Sequence, residues 1–175
     1  MSADLSQRAS RIRLALFDVD GVMTDGTLFI SDSGEAFKPF SIADGLGLKL
    51  LRSSGVATGI LTSRSSAPVK ARAAELGIDH LIHGAEDKLH AYTNLRTRLG
   101  LEDAQVCYVG DDLQDLPVLR RCGLAISPPN GVQQVREQAH FVTRTSGGKG
   151  AVREVCELIM QAQGTWHSQI EGFLA

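Results

Sequence analysis

Short apolar runs alternate along the chain with longer segments in which apolar residues recur every three or four positions. The short runs predict strands, which we place at residues 14–17, 56–61, 80–82, 106–109, 124–126 and 141–142. The longer segments predict helices, which we place at residues 45–54, 67–76, 88–99 and 152–162. Strands that alternate with helices are typical of βα units around a parallel sheet. The pattern therefore predicts an α/β fold with a central, mainly parallel sheet.

The helix predicted at residues 45–54 has the clearest periodicity. Leu46, Leu50 and Leu51 fall on one face, and Asp44 is placed to cap the first turn. We expect this face to pack against the sheet.

One segment departs from this alternation. Residues 27–30 and 35–40 are strand-like, and a polar turn at residues 31–34 joins them. This pattern predicts a protruding β-hairpin over about residues 26–41.

Three of the six phenylalanines, Phe29, Phe37 and Phe40, lie in the predicted hairpin. A two-stranded ribbon cannot bury three aromatic rings by itself, so we expect them to pack against another subunit. The alternative is that they fold back onto the core of their own chain.

The composition limits the classes of function. A chain of 175 residues, 43% of them hydrophobic, suits one domain, so we treat residues 1–175 as a single unit with a tail from about residue 164. A net charge of −2 with scattered basic residues argues against a nucleic-acid partner. Cys107, Cys122 and Cys156 form no Cys-x-x-Cys pair, which predicts reduced packing residues.

Targeting and membrane signals are not apparent in the sequence. Residues 1–13 lack the apolar core of a signal peptide, and no run approaches the ~20 apolar residues that span a bilayer. We therefore expect no membrane partner and a cytoplasmic location.

Two carboxylates follow the first predicted strand. Asp18 and Asp20 come directly after residues 14–17 and precede the flexible Gly21. This places them at the carboxyl edge of the sheet, where open α/β folds bind ligands. Neighbouring aspartates repel each other unless they share a cation. The pattern therefore predicts a divalent metal, and Mg²⁺ is the hard cation that best suits carboxylate oxygens.

Three further motifs follow at the ends of later strands. Thr62 ends one apolar run, Lys88 lies about 26 residues later, and Gly-Asp-Asp-Leu-Gln-Asp occupies residues 110–115. With Asp-Val-Asp-Gly-Val at residues 18–22, they resemble the four signatures of the haloacid dehalogenase (HAD) superfamily of aspartate-nucleophile phosphatases. The resemblance spans about residues 12–160 and implies a Rossmann-like three-layer sandwich.

The resemblance also implies a role for each motif residue. Asp18 would attack phosphorus to give an aspartyl-phosphate, while Asp20 would protonate the leaving alkoxide and later activate water. Thr62 and Lys88 would bind the transferring phosphoryl group. Mg²⁺ would be held by Asp18, the backbone carbonyl of Asp20, and Asp111.

The chain has no room for the cap domain that covers the site in many of these phosphatases. Residues 21–55 hold only the hairpin and one helix, and residues 65–87 hold only one helix and one strand. A capless monomer would leave its site open to water. The resemblance implies a homotetramer in which one subunit's hairpin covers its neighbour's site.

The finer combination of motifs indicates a substrate class. Thr-Ser-Arg at residues 62–64 and Gly-Gly-Lys-Gly-Ala-Val-Arg-Glu at residues 147–154 resemble the capless phosphatases of an eight-carbon sugar-acid phosphate used in lipopolysaccharide synthesis. The expected substrate thus carries a carboxylate as well as a phosphate.

That substrate should meet a cation besides Lys88. Arg64 is our first choice, because its planar fork suits a carboxylate. Lys149, Arg153 and Arg72 are reserves, although we expect Arg72 to be a solvated helix residue. The residues expected to bind substrate are Asp20, Thr62, Ser63, Arg64 and Lys88.

Ser63 departs from the pattern of related phosphatases, which generally have glycine at this position. A backbone that needs positive φ would be strained by serine. Serine is small and the substitution is mild, so this departure bears on the local loop geometry and not on the reaction.

The remaining aspartates allow structural as well as functional roles. Asp112 or Asp115 could orient the metal's waters or the lysine. Asp115 could equally be a carboxylate that stabilises the start of a helix. We expect Asp25 to act structurally in the turn that starts the hairpin.

Two alternative functions share parts of this pattern. A phosphatase of nine-carbon sialic acid or KDN 9-phosphates would have the same catalytic motifs. A receiver-like or catalytically silent HAD-like binding module would have a similar sheet. However, a receiver's acceptor aspartate follows the third strand, where this chain has His83 and Gly84.

Overall fold

A six-stranded parallel sheet forms the centre of the computed structural model, which describes residues 2–32 and 34–174. The strands are β1 (Leu14–Phe17), β2 (Phe29–Ser31), β3 (Gly34–Phe37), β4 (Ala57–Thr62), β5 (His80–His83), β6 (Val106–Val109), β7 (Leu124–Ser127) and β8 (Phe141–Val142). Strands β2 and β3 form a separate antiparallel hairpin. The other six pair in parallel in the order β5-β4-β1-β6-β7-β8.

Helices connect these strands and flank the sheet. They are α1 (Ala3–Ser10), α2 (Ile42–Ser53), α3 (Ala67–Leu76), α4 (Lys88–Arg98), α5 (Leu116–Leu119), α6 (Gln133–Gln138), α7 (Ala151–Ala162) and α8 (Trp166–Glu171). Short 3₁₀ turns lie at Asp103–Gln105 and Leu113–Asp115.

The sheet separates two apolar cores. Ala15 and Phe17 of β1 face one core, and Leu14 and Leu16 face the other, because successive strand residues point to opposite faces. Helices α1, α2, α3 and α7 cover the first face, and α4, α5 and α6 cover the second. The predicted three-layer α/β sandwich is therefore confirmed.

The predicted strands of the main sheet are confirmed to within one residue at each end. The predicted helices at 67–76, 88–99 and 152–162 are likewise confirmed to within one residue. The three cysteines are buried and free, as expected from their apolar neighbours.

The predicted start of α2 was wrong. Ser41, and not Asp44, caps this helix, because the Ser41 Oγ accepts a hydrogen bond from the backbone N–H of Asp44 at 3.3 Å. The face of the helix also differs from the prediction: Leu46 is exposed, whereas Leu48 is buried with Leu50 and Leu51.

Several short helices were not predicted from the sequence. Among them, α1 begins after its Ser2 cap and buries Leu5 and Ala9 in the first core. Helix α8 occupies about half of the predicted tail at residues 164–175.

The hairpin is confirmed, with shorter strands than predicted. Phe29 lies opposite Phe37, and their rings stack with centroids 4.3 Å apart. Phe40 packs against the first core, as the alternative interpretation expected, whereas Phe29 and Phe37 stay on the surface of the chain. The predicted turn includes Ser33, which lies outside the described residues. Asp25 precedes the hairpin and accepts a hydrogen bond from the backbone of Thr27 at 2.9 Å.

Across the described ranges, no helix combines the length and apolar character needed to cross a bilayer.

Candidate active site

The carboxyl ends of three adjacent strands form one edge of the sheet. Asp18 follows β1, Thr62 ends β4 and Asp111 lies two residues beyond β6, and β1 is the strand between the other two. A cleft of about 330 Å³ opens at this edge. The predicted site residues Asp18, Asp20, Thr62, Ser63, Arg64, Lys88 and Asp111 all line it.

Lys88 enters the cleft from the first turn of α4. The helix starts there because the Asp87 carboxylate caps it by accepting from the backbone of His90 at 2.9 Å. Lys88 Nζ lies 2.9 Å from an Asp18 oxygen and 2.7 Å from an Asp115 oxygen. Burial alone would lower the pKa of Lys88, but these two carboxylates outweigh it and raise the pKa. The lysine is therefore a fixed positive charge beside Asp18.

Asp115 is fully buried and accepts four hydrogen bonds. Its Oδ1 accepts from Lys88 Nζ at 2.7 Å and from the Tyr108 hydroxyl at 2.6 Å. Its Oδ2 accepts from the backbone N–H groups of Asp111 at 2.9 Å and Asp112 at 3.1 Å. The geometry thus favours the interpretation in which Asp115 orients the lysine. The Asp112 carboxylate instead caps the short 3₁₀ turn that follows it.

Asp18 and Asp111 both have a buried oxygen without a hydrogen-bond partner among the described residues. Burial, with the nearby Asp115 charge and opposed in part by Lys88, raises the pKa of Asp18 to about 6. Burial and the charges of Asp18, Asp115 and Asp112 raise the pKa of Asp111 to about 7. A cation between the two carboxylates would remove both penalties, so these residues fit a divalent metal.

Asp115 also lies close enough to join such a cluster, since ligand oxygens of Asp18, Asp111 and Asp115 lie within 4.8 Å of one another. However, both Asp115 oxygens already accept two hydrogen bonds each. We therefore favour Asp18 and Asp111 as the side-chain ligands.

Glycine and asparagine set the position of the acidic loop. Gly21 has a φ of 83°, and a Cβ there would collide with the Asp111 carboxylate. Asn130 Nδ2 donates to the Gly21 carbonyl at 2.9 Å, and Asn130 Oδ1 accepts from the backbone of Gly147 at 2.8 Å. Asn130 was not predicted as a site residue, because its only signal in the sequence is its place in a Pro-Pro-Asn-Gly turn.

Two cations contact Asp20. Lys38 Nζ lies 2.5 Å from Asp20 Oδ1, and Arg64 Nε lies 3.5 Å from Asp20 Oδ2. Arg64 is half exposed, as a residue that meets substrate would be. Lys38 was not predicted as a site residue either, because it lies in the hairpin segment and outside the four motifs.

Ser63 does not strain the loop, in line with the mild effect expected of this substitution. No described residue other than glycine has a positive φ, so the backbone at Ser63 is one that any side chain can adopt. Its hydroxyl donates to Gln114 Oε1 at 2.9 Å, which joins the loops after β4 and β6.

The reserve cations are not among the residues that line the cleft. The expectation that Arg72 is solvated was wrong: its side chain is only 15% exposed, and it donates to the Ser41 carbonyl at 3.2 Å and to Glu75 at 2.8 Å. Arg153 pairs with Glu157, and Lys149 is an exposed surface residue.

Known proteins match this chain over most of its length. A family model described as haloacid dehalogenase-like hydrolase matches residues 35–123. The 3-deoxy-D-manno-octulosonate 8-phosphate phosphatase of Yersinia pestis is 45% identical over 160 residues, which cover 91% of this chain and 86% of that protein.

Solved structures match in fold as well as in sequence. A probable phosphatase of the YrbI family from Pseudomonas syringae superposes with a TM-score of 0.97 at 49% identity, covering 99% of each chain. The 3-deoxy-D-manno-octulosonate 8-phosphate phosphatase of Moraxella catarrhalis, solved with magnesium, phosphate and KDO, superposes with a TM-score of 0.96 at 45% identity and again covers 99% of each chain.

Proposed function

The chain belongs to the haloacid dehalogenase-like hydrolases, and from this premise we propose that it is a Mg²⁺-dependent phosphatase of 3-deoxy-D-manno-octulosonate 8-phosphate (KDO 8-phosphate). The products would be KDO and inorganic phosphate. The arrangement that most supports this proposal is the buried Asp18, held 2.9 Å from Lys88 and within 4.8 Å of Asp111, which has a buried oxygen without a partner among the described residues. The Moraxella catarrhalis structure supports the choice of metal and of product.

We propose that Asp18 and Asp111 hold Mg²⁺ through their carboxylates and that Asp20 does so through its backbone carbonyl. The bound ion would supply positive charge that lets an anionic carboxylate approach an anionic phosphate. Lys88 adds a second fixed positive charge at Asp18 Oδ2, whereas Asp18 Oδ1 is the oxygen without a partner among the described residues.

The reaction would proceed in two steps on this chain's own residues. An Asp18 oxygen forms a bond to phosphorus while the bond from phosphorus to the sugar oxygen breaks. Asp20 gives its proton to the departing oxygen and then takes one from the water that hydrolyses the aspartyl-phosphate. Thr62 and Lys88 would hold the phosphoryl oxygens during both steps.

The sugar acid would be held at the mouth of the cleft. Arg64 is half exposed there and presents a planar fork that suits the substrate's carboxylate. Ser63, which also lines the cleft, would hydrogen-bond the substrate beside it.

We further propose that residues 1–175 act as one hydrolase domain in a homotetramer, with the flap at about residues 26–41 covering a neighbour's site and a tail at about residues 164–175. The exposed stack of Phe29 and Phe37 supports this, since the flap presents apolar surface to solvent in the single chain. The enzyme would work in the cytoplasm in lipopolysaccharide biosynthesis, with no nucleic-acid or membrane partner.

Phosphate release from KDO 8-phosphate tests the proposal. The purified protein should release phosphate with Mg²⁺ and lose that activity in EDTA. The matched variant Asp18→Asn keeps the size of the side chain and removes the nucleophile, so it should lose activity by several orders of magnitude. Turnover that persists in Asp18→Asn would overturn the mechanism.

A further inference from the structure

The hairpin segment places a buried lysine on the second carboxylate of the site. Lys38 directly follows β3, its side chain is 1% exposed, and its Nζ lies 2.5 Å from Asp20 Oδ1. We propose that Lys38 is a positioning residue that holds the Asp20 carboxylate in the orientation needed for proton transfer. This inference rests on the acid and base role proposed for Asp20.

Burial makes this ion pair costly to break. An ammonium group taken out of water is destabilising unless a carboxylate and further hydrogen bonds compensate it. Asp20 itself is only 23% exposed, so the pair is poorly screened by solvent. If Lys38 lost its charge, water would not readily replace it as the partner of Asp20. The Asp20 carboxylate would then be free to change its orientation.

The two cations that contact Asp20 differ in burial and in the oxygen that they contact. Lys38 is buried and contacts Oδ1, whereas Arg64 is half exposed and lies 3.5 Å from Oδ2. Opposed contacts on both oxygens restrict rotation of the carboxylate. Because Arg64 lies in the cleft, substrate binding can draw it away, and Lys38 would then keep Asp20 in place.

Lys38 is buried and is not among the residues that line the cleft, so we expect it to act without contacting the substrate. In the role proposed here, Lys38 acts on the reaction through Asp20. The hairpin thus reaches the active site of its own chain as well as carrying the exposed flap.

The choice of leaving group separates this role from a general structural one. A sugar alkoxide needs a proton to depart, whereas p-nitrophenolate departs without one. We would measure single-turnover release of the leaving group from KDO 8-phosphate and from p-nitrophenyl phosphate. In Lys38→Met the rate for KDO 8-phosphate should fall about 10- to 100-fold, and the rate for p-nitrophenyl phosphate should fall less than about threefold.

Controls separate the pair from each residue alone. Asp20→Asn should give the same selective loss, and adding Lys38→Met to it should cause little further selective loss, because the positioning role of Lys38 requires the Asp20 carboxylate. Lys49→Met, on the exposed side of α2, should leave both rates unchanged. Lys38→Gln is a neutral variant that still fits a polar site, and it should reproduce the selective loss if Lys38→Met does not fold.

The outcomes distinguish this inference from the proposed function. Equal losses for both substrates in Lys38→Met and Lys38→Gln would overturn the positioning role. So would an unchanged rate for KDO 8-phosphate when Asp20→Asn is slow. If Asp20→Asn is as fast as the natural protein, the proposed role of Asp20 fails first.

Discussion

At the scale of single residues, the site depends on one carboxylate that serves no substrate directly. Asp115 accepts hydrogen bonds from Lys88, Tyr108 and two backbone N–H groups. The lysine beside Asp18 therefore has little freedom to move. Buried networks of this kind are stable only when every member is satisfied. The positive charge of the site is therefore positioned before substrate arrives.

Tyr108→Phe should weaken this network. It removes one donor to a buried carboxylate, which should lower the free energy of unfolding by about 1–3 kcal/mol and also lower kcat. Tyr92→Phe is a matched control, because the Tyr92 hydroxyl donates to Asp103 at 2.8 Å away from the cleft. We expect it to lose similar stability in urea unfolding and to keep its kcat. Equal kcat values in the two variants would contradict the role given to Asp115.

The metal carboxylates should make Mg²⁺ binding depend on pH. Without metal, the pKa of Asp18 is raised to about 6 and that of Asp111 to about 7, so protons compete with Mg²⁺ below pH 7. Calorimetry should give a Kd at least about tenfold weaker at pH 5.5 than at pH 7.5. Asp111→Asn should bind more weakly throughout, with a flatter pH profile.

The raised pKa values of Asp18 and Asp111 also affect how the stability of the metal-free protein changes with pH. In the folded, metal-free protein, Asp18 and Asp111 keep their protons up to a pH of about 6 and 7, respectively. In the unfolded chain, the same groups lose their protons near the ordinary carboxyl pKa of 3.8. The contribution of these two carboxyl groups to stability should therefore fall as pH rises from about 4 through 7, and the increase in Tm on adding Mg²⁺ should grow over that range. A Tm increase that shrinks as pH rises would contradict this assignment of the ligands.

Sequence alone could locate much of the site at this scale. Asp18, Thr62 and Asp111 follow apolar runs directly, and parallel strands bring those ends together. Lys38 and Asn130 could not be found in this way. Their partners are Asp20, 18 residues away, and Gly21, 109 residues away, and no local pattern specifies either contact.

At the scale of elements, the contact between α2 and α7 holds the segment that follows the hairpin. Asp44 in the first turn of α2 is buried and accepts from the backbone of Arg153 in α7 at 2.8 Å. At Gly47 the two helices approach so closely that a Cβ would come within 3.0 Å of the Arg153 Cα. Gly47 and the Asp44 carboxylate thus fix how α2 and α7 cross.

Asp44→Ala should lower the free energy of unfolding by about 1–3 kcal/mol, because it leaves the partly buried N–H of Arg153 in α7 without its acceptor. Asp44→Asn keeps an oxygen for that donor and should lose less than half as much. Urea unfolding at pH 7 compares the two variants. If they lose equal stability, the hydrogen bond to Arg153 is not what joins the helices.

The elements predicted correctly are those with enough periodicity to read. Strands of the main sheet and the longer helices carry runs that are apolar throughout or apolar every three to four residues. Helices α6 and α8, with six residues each, are too short to show such a period. The start of α2 was misplaced because Ser41 and Asp44 are both good capping residues, and burial of Asp44 against α7 decides between them.

At the scale of the whole molecule, the described residues leave apolar surface on and beside the hairpin. Ile30 is 64% exposed, Phe37 is 53% exposed and Ile42 is 87% exposed. Soluble proteins seldom leave such patches uncovered, so the assembly proposed above would bury them. Patterning along the chain predicted the hairpin itself, but it could not specify which surface the hairpin meets.

The double variant Ile30→Ser/Phe37→Ser should weaken the assembly, because it removes two exposed apolar side chains of the hairpin. Light scattering should show a tetramer for the natural protein and smaller species for the double variant. Val142→Ser, on the edge strand β8, removes an exposed apolar residue elsewhere and should leave the tetramer intact. A monomeric natural protein at micromolar concentration would contradict the assembly.

The substrate is the central claim, and a comparison of kcat/KM tests it most directly. The purified protein would be given KDO 8-phosphate and N-acetylneuraminate 9-phosphate, each with and without Mg²⁺, with Asp18→Asn as the control. We predict a strong Mg²⁺-dependent preference for KDO 8-phosphate that disappears in the variant. A preference for the nine-carbon substrate would keep the mechanism and contradict the substrate, and release of phosphate from neither would contradict the proposed function.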